Sequence, residues 1–330
     1  MNTGIIDRWR ARLPVTARTP IFSLCEGSTP LIPALRLAKT LRLDAEIYLK
    51  FEGLNPTGSF KDRGMTLAIS KAVEEGSKGV LCASTGNTAA SAAAYAARAG
   101  LPCLVFLPKG NVALGKLTQS IMHGARIVEV KGNFDEALRA AVLRAKELGF
   151  TVVNSSNPYR IEGQKTAAFE IIEALGGAPN FQFMPVGNAG NITAYWMGYK
   201  EMGRHPRMMG FQAAGAAPLV LGKTVKDPKT IATAIKIGAP VSRAGALAAR
   251  DESRGMIGSV TDQEILAAYR LLAETEGVFC EPSSATGVAG LIKLARTKAP
   301  PSGRIVCILT GHGLKDPETP MTFKPKKGKL

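Results

Sequence analysis

The sequence predicts an α/β protein of two lobes, each a parallel sheet covered by helices. Three observations carry that expectation. From Gly79 onward, short apolar runs alternate with helical patterns of about 10–15 residues, the spacing of strand–helix–strand units. Polar and glycine-rich segments fall directly after the apolar runs, with no low-complexity linker and no internal repeat. The 330 residues suffice for two domains and a sizeable core.

In chain order, residues 46–51 read as a strand and 65–73 as a helix. Strands at 79–83, 103–107, 126–130 and 150–153 then alternate with helices at 88–98, 114–123 and 133–148. Beyond them come helix 160–175, strand 181–186, helix 192–202 and strand 207–213. Residues 221–258, rich in Gly, Lys and Arg, give no clear element. Helices at 262–274, capped by Thr261 or Asp262, and 283–296 lead to a last strand at 304–309. The smaller lobe is expected over 65–154, the larger over 1–64 and 155–330.

Asn55-Pro56-Thr57-Gly58-Ser59-Phe60-Lys61-Asp62-Arg63-Gly64 joins the first strand to its helix. Thr57 or Ser59 is placed to cap the helix, with Lys61 in or near its first turn. The positive end of a helix disfavours a second cation and lowers an amine's pKa, which suits an amine that attacks a carbonyl. A lone lysine is ordinarily a solvated surface charge; the loops that follow favour the reactive reading.

Composition sets limits. Hydrophobic residues at 45% and charged residues at 21% fit an ordinary globular protein, and no apolar run reaches the length of a membrane span. The first 12 residues lack the apolar core of a secretory signal, so a cytoplasmic protein is expected. Five cysteines are scattered without a Cys-x-x-Cys pair, and Cys82, Cys103 and Cys307 lie in apolar runs, the pattern of buried thiols. No histidine has metal-ligand spacing, so no metal is expected. The net charge of +16 is concentrated in two tails, four arginines before Thr19 and four lysines from Lys324 onward. Without a basic stripe carrying aromatics, nucleic acid is not an expected partner, whereas anionic small molecules are.

Five loops follow strand ends: 84–88, 109–116, 154–160, 187–191 and 310–313. In open parallel sheets, ligands bind at that edge. Gly187-Asn188-Ala189-Gly190-Asn191 offers backbone N–H groups at a helix start, the physics of a phosphate cradle, though by itself a glycine-rich turn is a weak signal. It is neither a dinucleotide fingerprint nor a Walker motif. Ser84-Thr85-Gly86-Asn87-Thr88 has hydroxyls and N–H groups suited to a carboxylate, or simply to capping a helix. A G-x-S-x-G nucleophile elbow is missing. A reactive lysine, a phosphate cradle and a carboxylate loop together point to pyridoxal 5′-phosphate (PLP).

Six runs (26–31, 52–65, 82–100, 154–170, 185–195 and 309–317) resemble the threonine synthase family, a branch of the fold type II PLP enzymes. That fold type also includes tryptophan synthase β, cysteine synthase and threonine dehydratase. The likeness covers almost all of residues 20–320, and the 59–64 and 154–165 blocks are specific to synthase-like members. It implies a two-domain, tryptophan synthase β-like fold with parallel or mixed sheets and an active site in the interdomain cleft. Lys61 would bond the cofactor and shuttle protons, Asn87 would meet its phenolic oxygen, Gly187, Asn188, Ala189, Gly190 and Asn191 its phosphate, and Thr310 its ring nitrogen. Ser84, Thr85 and Thr88 would take the substrate carboxylate, and Lys116, Asn154, Ser155 and Arg160 the substrate phosphate. The chain departs from the family at Gly238-Ala239-Pro240-Val241-Ser242-Arg243, where relatives usually end Ser-Trp. Glu281-Pro282-Ser283-Ser284-Ala285 stays close to the family's Glu-Pro-Ala-Ser-Ala.

The implied reaction converts O-phospho-L-homoserine and water into L-threonine and phosphate by β,γ-elimination and replacement, in a homodimer. Dehydration of threonine or serine on the same fold is the alternative, and needs no second phosphate pocket. A basic PLP-binding protein without turnover is a further alternative, opposed by intact Lys61, Asn87 and Thr310.

Overall fold

The structure is a computed structural model that describes residues 3–110, 117–132 and 134–324. Helix α1 (Gly4–Arg8) buries Ile5 and Ile6. The N-terminal arginines were expected in a tail, but apolar burial docks this arm instead: Arg8 bonds Glu173 and Ser28 Oγ, and Arg10 bonds Thr16 O. The lysines beyond Lys324 lie outside the described residues.

Strand β1 (Leu31–Pro33), helix α2 (Leu35–Leu41) and strand β2 (Ala45–Phe51) lead to α3 (Lys61–Glu74). Next come β3 (Val80–Ala83), α4 (Asn87–Arg98), β4 (Cys103–Pro108), α5 (Thr118–Met122), β5 (Arg126–Val130), α6 (Phe134–Leu148) and β6 (Thr151–Val152). They continue through α7 (Pro158–Leu175), β7 (Phe181–Pro185), α8 (Gly190–Glu201), β8 (Arg207–Ala213), α9 (Pro218–Leu221), α10 (Arg243–Glu252) and β9 (Met256–Val260). Helices α11 (Asp262–Glu276) and α12 (Pro282–Ala295) precede β10 (Gly303–Leu309). The expected helix at 114–123 is the shorter α5, its first residues lying outside the described ones. Thr261 caps α11 in a capping box with Glu264.

Two sheets result. One runs β1-β2-β10-β7-β8-β9 and is parallel except for β1, the other runs β5-β4-β3-β6 and is wholly parallel. The four-stranded sheet draws all its strands from residues 80–152. Cys82, Cys103, Cys280 and Cys307 are buried.

Helix α3 crosses α7 at glycine contacts. A Cβ on Gly64 would sit 2.6 Å from Arg160 O, and one on Gly163 would sit 2.0 Å from Arg63 O, so neither helix tolerates a side chain there. Beside this crossing lies a buried ion network. Arg63 donates to both oxygens of Glu52 (2.7 and 2.8 Å) and both of Glu170 (2.7 and 2.7 Å), and Lys50 Nζ donates to Glu170 at 2.7 Å. The arginine and lysine charges hold both carboxyls below the usual carboxylate range despite their burial.

Candidate active site

A cavity of about 1120 Å³ is lined by loops at the carboxyl ends of strands from both sheets. The turn that carries Lys61 is pinned to the turn after β10. Phe60 N donates to Thr310 O (3.0 Å), His312 N donates to Gly58 O (2.9 Å), and Ser59 pairs antiparallel with Gly311. Lys61 itself opens α3, whose N-cap is Phe60. Neither Thr57 nor Ser59 holds the cap position, but Ser59 Oγ accepts from Lys61 N at 3.4 Å. Thr57 turns the other way: its N donates to Asp62 Oδ2 (2.7 Å) and its Oγ1 to Asp62 Oδ1 (2.6 Å), while Ser91 Oγ of α4 donates to Asp62 Oδ1 (2.6 Å). Asp62 thereby ties the turn to α4. Burial pushes its carboxyl up to about 6, against the pull of these hydrogen bonds.

The Lys61 amine is lowered to about 7, first by burial and then by the charge of Arg160, with Glu281 opposing. The helix-end argument from sequence reached the same direction through a different cause.

Residues 187–191 all line the cavity at the start of α8, a 12-residue helix whose first N–H groups lack intrahelical partners. Ala189 adopts the left-handed conformation (φ 66°), turning the chain into the helix. Asn191 donates Nδ2 to Gln164 Oε1 (3.2 Å), while its Oδ1 is buried without a partner. The departure at 238–243 leaves this cradle supported by backbone. Val241 N donates to Asn188 Oδ1 (3.3 Å) and Ser242 N to Asn188 O (3.1 Å), whereas the Arg243 guanidinium turns away to Gly222 O (3.3 Å). Thr310 lines the cavity with its hydroxyl 2.9 Å from Ser284 Oγ, which also accepts from Gly311 N at 2.8 Å.

Ser84, Thr85, Asn87 and Thr88 line the cavity at the start of α4, Ser155 lines it after β6, and Arg160 lines it from the first turn of α7. Arg160 is buried, donates Nη1 to Val153 O (2.7 Å) and leaves Nε without a partner; burial pushes its guanidinium down to about 10. Asn154 does not line the cavity. Its amide donates to Ala83 O and accepts from Ala83 N, both at 2.9 Å, and so clamps the end of β6 to β3. Lys116 lies outside the described residues.

The cavity also includes residues that sequence reasoning passed over. Gln164 follows Arg160 by one helical turn, and Lys315 donates Nζ to Thr57 O (3.2 Å) and to Gln119 Oε1. Glu281 accepts from Asn87 Nδ2 at 3.0 and 3.2 Å. The 310–313 turn pointed to Lys315 two residues further on, and the family-like 281–285 segment pointed to Glu281. Among the described lining residues, Lys61, Arg160, Lys236 and Lys315 face a single carboxylate, Glu281. A basic pocket holding a near-neutral amine and a helix-start cradle fits a phosphorylated aldehyde cofactor by its donor chemistry.

Residues 22–311 match the family described as pyridoxal-phosphate dependent enzyme, and the chain belongs to that family. Within it, curated relatives that span nearly the whole chain include threonine synthases. That of Synechocystis sp. is 57% identical over 96% of this chain and 84% of its own. That of Mycobacterium leprae is 55% identical over 98% and 91%, and that of Methanocaldococcus jannaschii 51% identical over 94% and 80%. Among solved structures, maize serine racemase superposes with a TM-score of 0.78 at 22% identity over 89% of this chain and 91% of its own, a likeness of fold. A threonine deaminase from T.th. gives 0.75 at 27% identity over 86% and 92%. Fold type II and dependence on PLP follow from the family and these neighbours.

Proposed function

We propose that this chain is a threonine synthase, releasing L-threonine and phosphate from O-phospho-L-homoserine and water. The observation that carries this reading is the relationship to threonine synthases at 51–57% identity along nearly the whole chain. The cavity adds physical support. Arg160 and Ser155 line the same cavity as the 187–191 cradle, and in this reading they supply a second anion position, for the substrate's phosphate. A dehydratase has no use for that second position.

In this reading residues 187–191 would hold the cofactor's phosphate, Asn87 its phenolic oxygen, Thr310 its ring nitrogen and Lys61 its aldehyde carbon. A hydroxyl at Thr310 would be a weak partner for that nitrogen and would leave it largely unprotonated. Bound there, PLP supplies an electron sink for the pair left at the substrate's Cα. Ser84, Thr85 and Thr88 orient the substrate carboxylate. Arg160 and Ser155 hold the substrate phosphate until the Cγ–O bond breaks; Lys116 belongs with them by resemblance, and Asn154 acts through the β6–β3 clamp. Lys61, its amine lowered to about 7, would take the Cα proton. Across the reaction Cβ loses a proton and gains the hydroxyl of water, and Cγ gains a proton as phosphate departs.

The larger and smaller domains are taken as 1–64 with 155–330, and 65–154. The working form is a cytoplasmic homodimer, a reading supported by resemblance alone and checked by sedimentation of the purified protein. No described helix is long and apolar enough to cross a membrane. The deciding assay compares phosphate release from O-phospho-L-homoserine with keto-acid release from threonine. Efficient keto-acid release with no phosphate release would replace this reading with the dehydratase.

A further inference from the structure

Glu281 is the one carboxylate among the described residues of the cavity wall, and nothing in the reaction above uses it. It is buried, and burial raises its carboxyl above the usual range while the Asn87 amide, Lys315 and Lys61 pull it back. The backbone is built closely around it. Glu281 N donates to Gly311 O (3.0 Å), and a Cβ on Gly311 would lie 2.5 Å from the Glu281 carboxyl carbon. The carboxylate sits at the head of α12, yet it makes no capping bond to its own helix. It reaches instead to Asn87 at the head of α4, beside the four-stranded sheet.

We infer that Glu281 is a positioning residue: it fixes the orientation of the Asn87 amide and so presents an N–H, rather than a carbonyl, to the cofactor's phenolic oxygen. The reason lies in the asymmetry of an amide. Asn87 carries two donors on Nδ2 and only acceptor capacity on Oδ1. Lys315 and Lys61 favour the ionised form of Glu281 against its burial, and an ionised carboxylate accepts and cannot donate, so both of its oxygens select the Nδ2 side. One Nδ2 hydrogen engages Glu281 and the other stays available to an oxygen in the cavity. A flipped amide would set Oδ1 against Glu281, two acceptors in contact in a buried place. The same bond spans the two sheets, so the amide is oriented relative to the Lys61 turn as well as to α4.

This inference rests on the assignment of Asn87 to the cofactor, and the experiment separates the two. PLP affinity of the apoenzyme is measured by equilibrium dialysis for wild type, E281Q, E281D, N87A and the E281Q/N87A double variant. Circular dichroism and thermal unfolding accompany each. Gln is isosteric with Glu but presents either a donor or an acceptor, so it no longer dictates the amide's direction. We expect E281Q to weaken PLP binding roughly 10-fold, E281D to recover part of that loss, and E281Q to add less than about twofold in the N87A background. Unchanged affinity in N87A overturns the Asn87 assignment itself. Weakened binding in N87A, with E281Q adding its full effect on top or having none in the wild-type background, overturns the Glu281 inference alone.

Discussion

Lys61 and Arg63 stand two residues apart on the first turn of α3, and the protein treats their charges in opposite ways. Arg63 is enclosed by two carboxylates and spends its guanidinium on Glu52 and Glu170, with Lys50 completing the cluster. Lys61 has no carboxylate at ion-pair distance among the described residues; its closest charge influences are Arg160, which disfavours its proton, and Glu281. Arg63 is buried and Lys61 is half-buried at the cavity wall, so burial alone does not explain why Lys61 is the one whose charge is disfavoured. Pairing does. A buried cation with matched partners is held ionised and serves the architecture, whereas one left beside another cation becomes a neutral amine ready for chemistry.

The comparison can be broken at either end. The largest effect is expected at Lys61: Lys61→Ala should lower turnover on the order of 10⁴-fold and abolish the long-wavelength absorbance of the lysine-bound cofactor. An unchanged spectrum would remove Lys61 from its role. The variant also reads the sign of the pKa shift. Because the folded amine titrates near 7 against 10.5 ordinarily, the unfolded chain binds the extra proton between those values, and apoprotein stability gains from Lys61 as pH rises through that window. Lys61→Ala should therefore be more stable than wild type below pH 7, with the advantage shrinking toward pH 10.5.

At the other end, Glu170→Ala takes away the carboxylate paired with Lys50 and leaves Arg63 with Glu52 as its one carboxylate partner, and should cost about 3–5 kcal/mol in urea unfolding. A cost below about 1 kcal/mol would show that the network is relaxed by water and that pairing is not what separates the two positions. Arg160→Ala should lower kcat/KM for the phosphorylated substrate by roughly 30- to 1,000-fold, about 2–4 kcal/mol, while PLP content stays normal. Loss of cofactor in that variant would place Arg160 with the cradle instead. The smallest effect belongs to Arg243→Trp, expected within about 0.5 kcal/mol in stability and without change in turnover, since the guanidinium meets only Gly222 O. A large change there would mean that the side chain, not the 241–242 backbone, supports Asn188.

Much of this contrast was legible before the structure. The alternating runs between residues 79 and 153 carry a strong period and bury continuous apolar faces, so their strands emerged almost intact. The ligand-facing loops were legible because each follows a strand end. Strand β1 was not, being three residues long and paired antiparallel at a sheet edge. Helix α10 and strand β9 were hidden in 221–258, where β9 is only half-buried for most of its length and Arg-rich α10 looks like loop. Glu281 was legible only through the family-like 281–285 segment, since locally a Glu-Pro pair reads as an ordinary helix start. Its partner Asn87 lies 194 positions away, and no local pattern encodes that meeting.

The glycine crossing of α3 and α7 has a consequence for how this pocket can diversify. Lys61 heads one of those helices and Arg160 begins the other, so their separation is set where Gly64 and Gly163 let two backbones touch. Changing the identity of a lining side chain alters what the pocket prefers; adding a single methyl at the crossing would shift the frame on which every preference is built. A substitution at Gly64 or Gly163 is therefore expected to move Lys61 and Arg160 together, although neither glycine carries a functional group of its own.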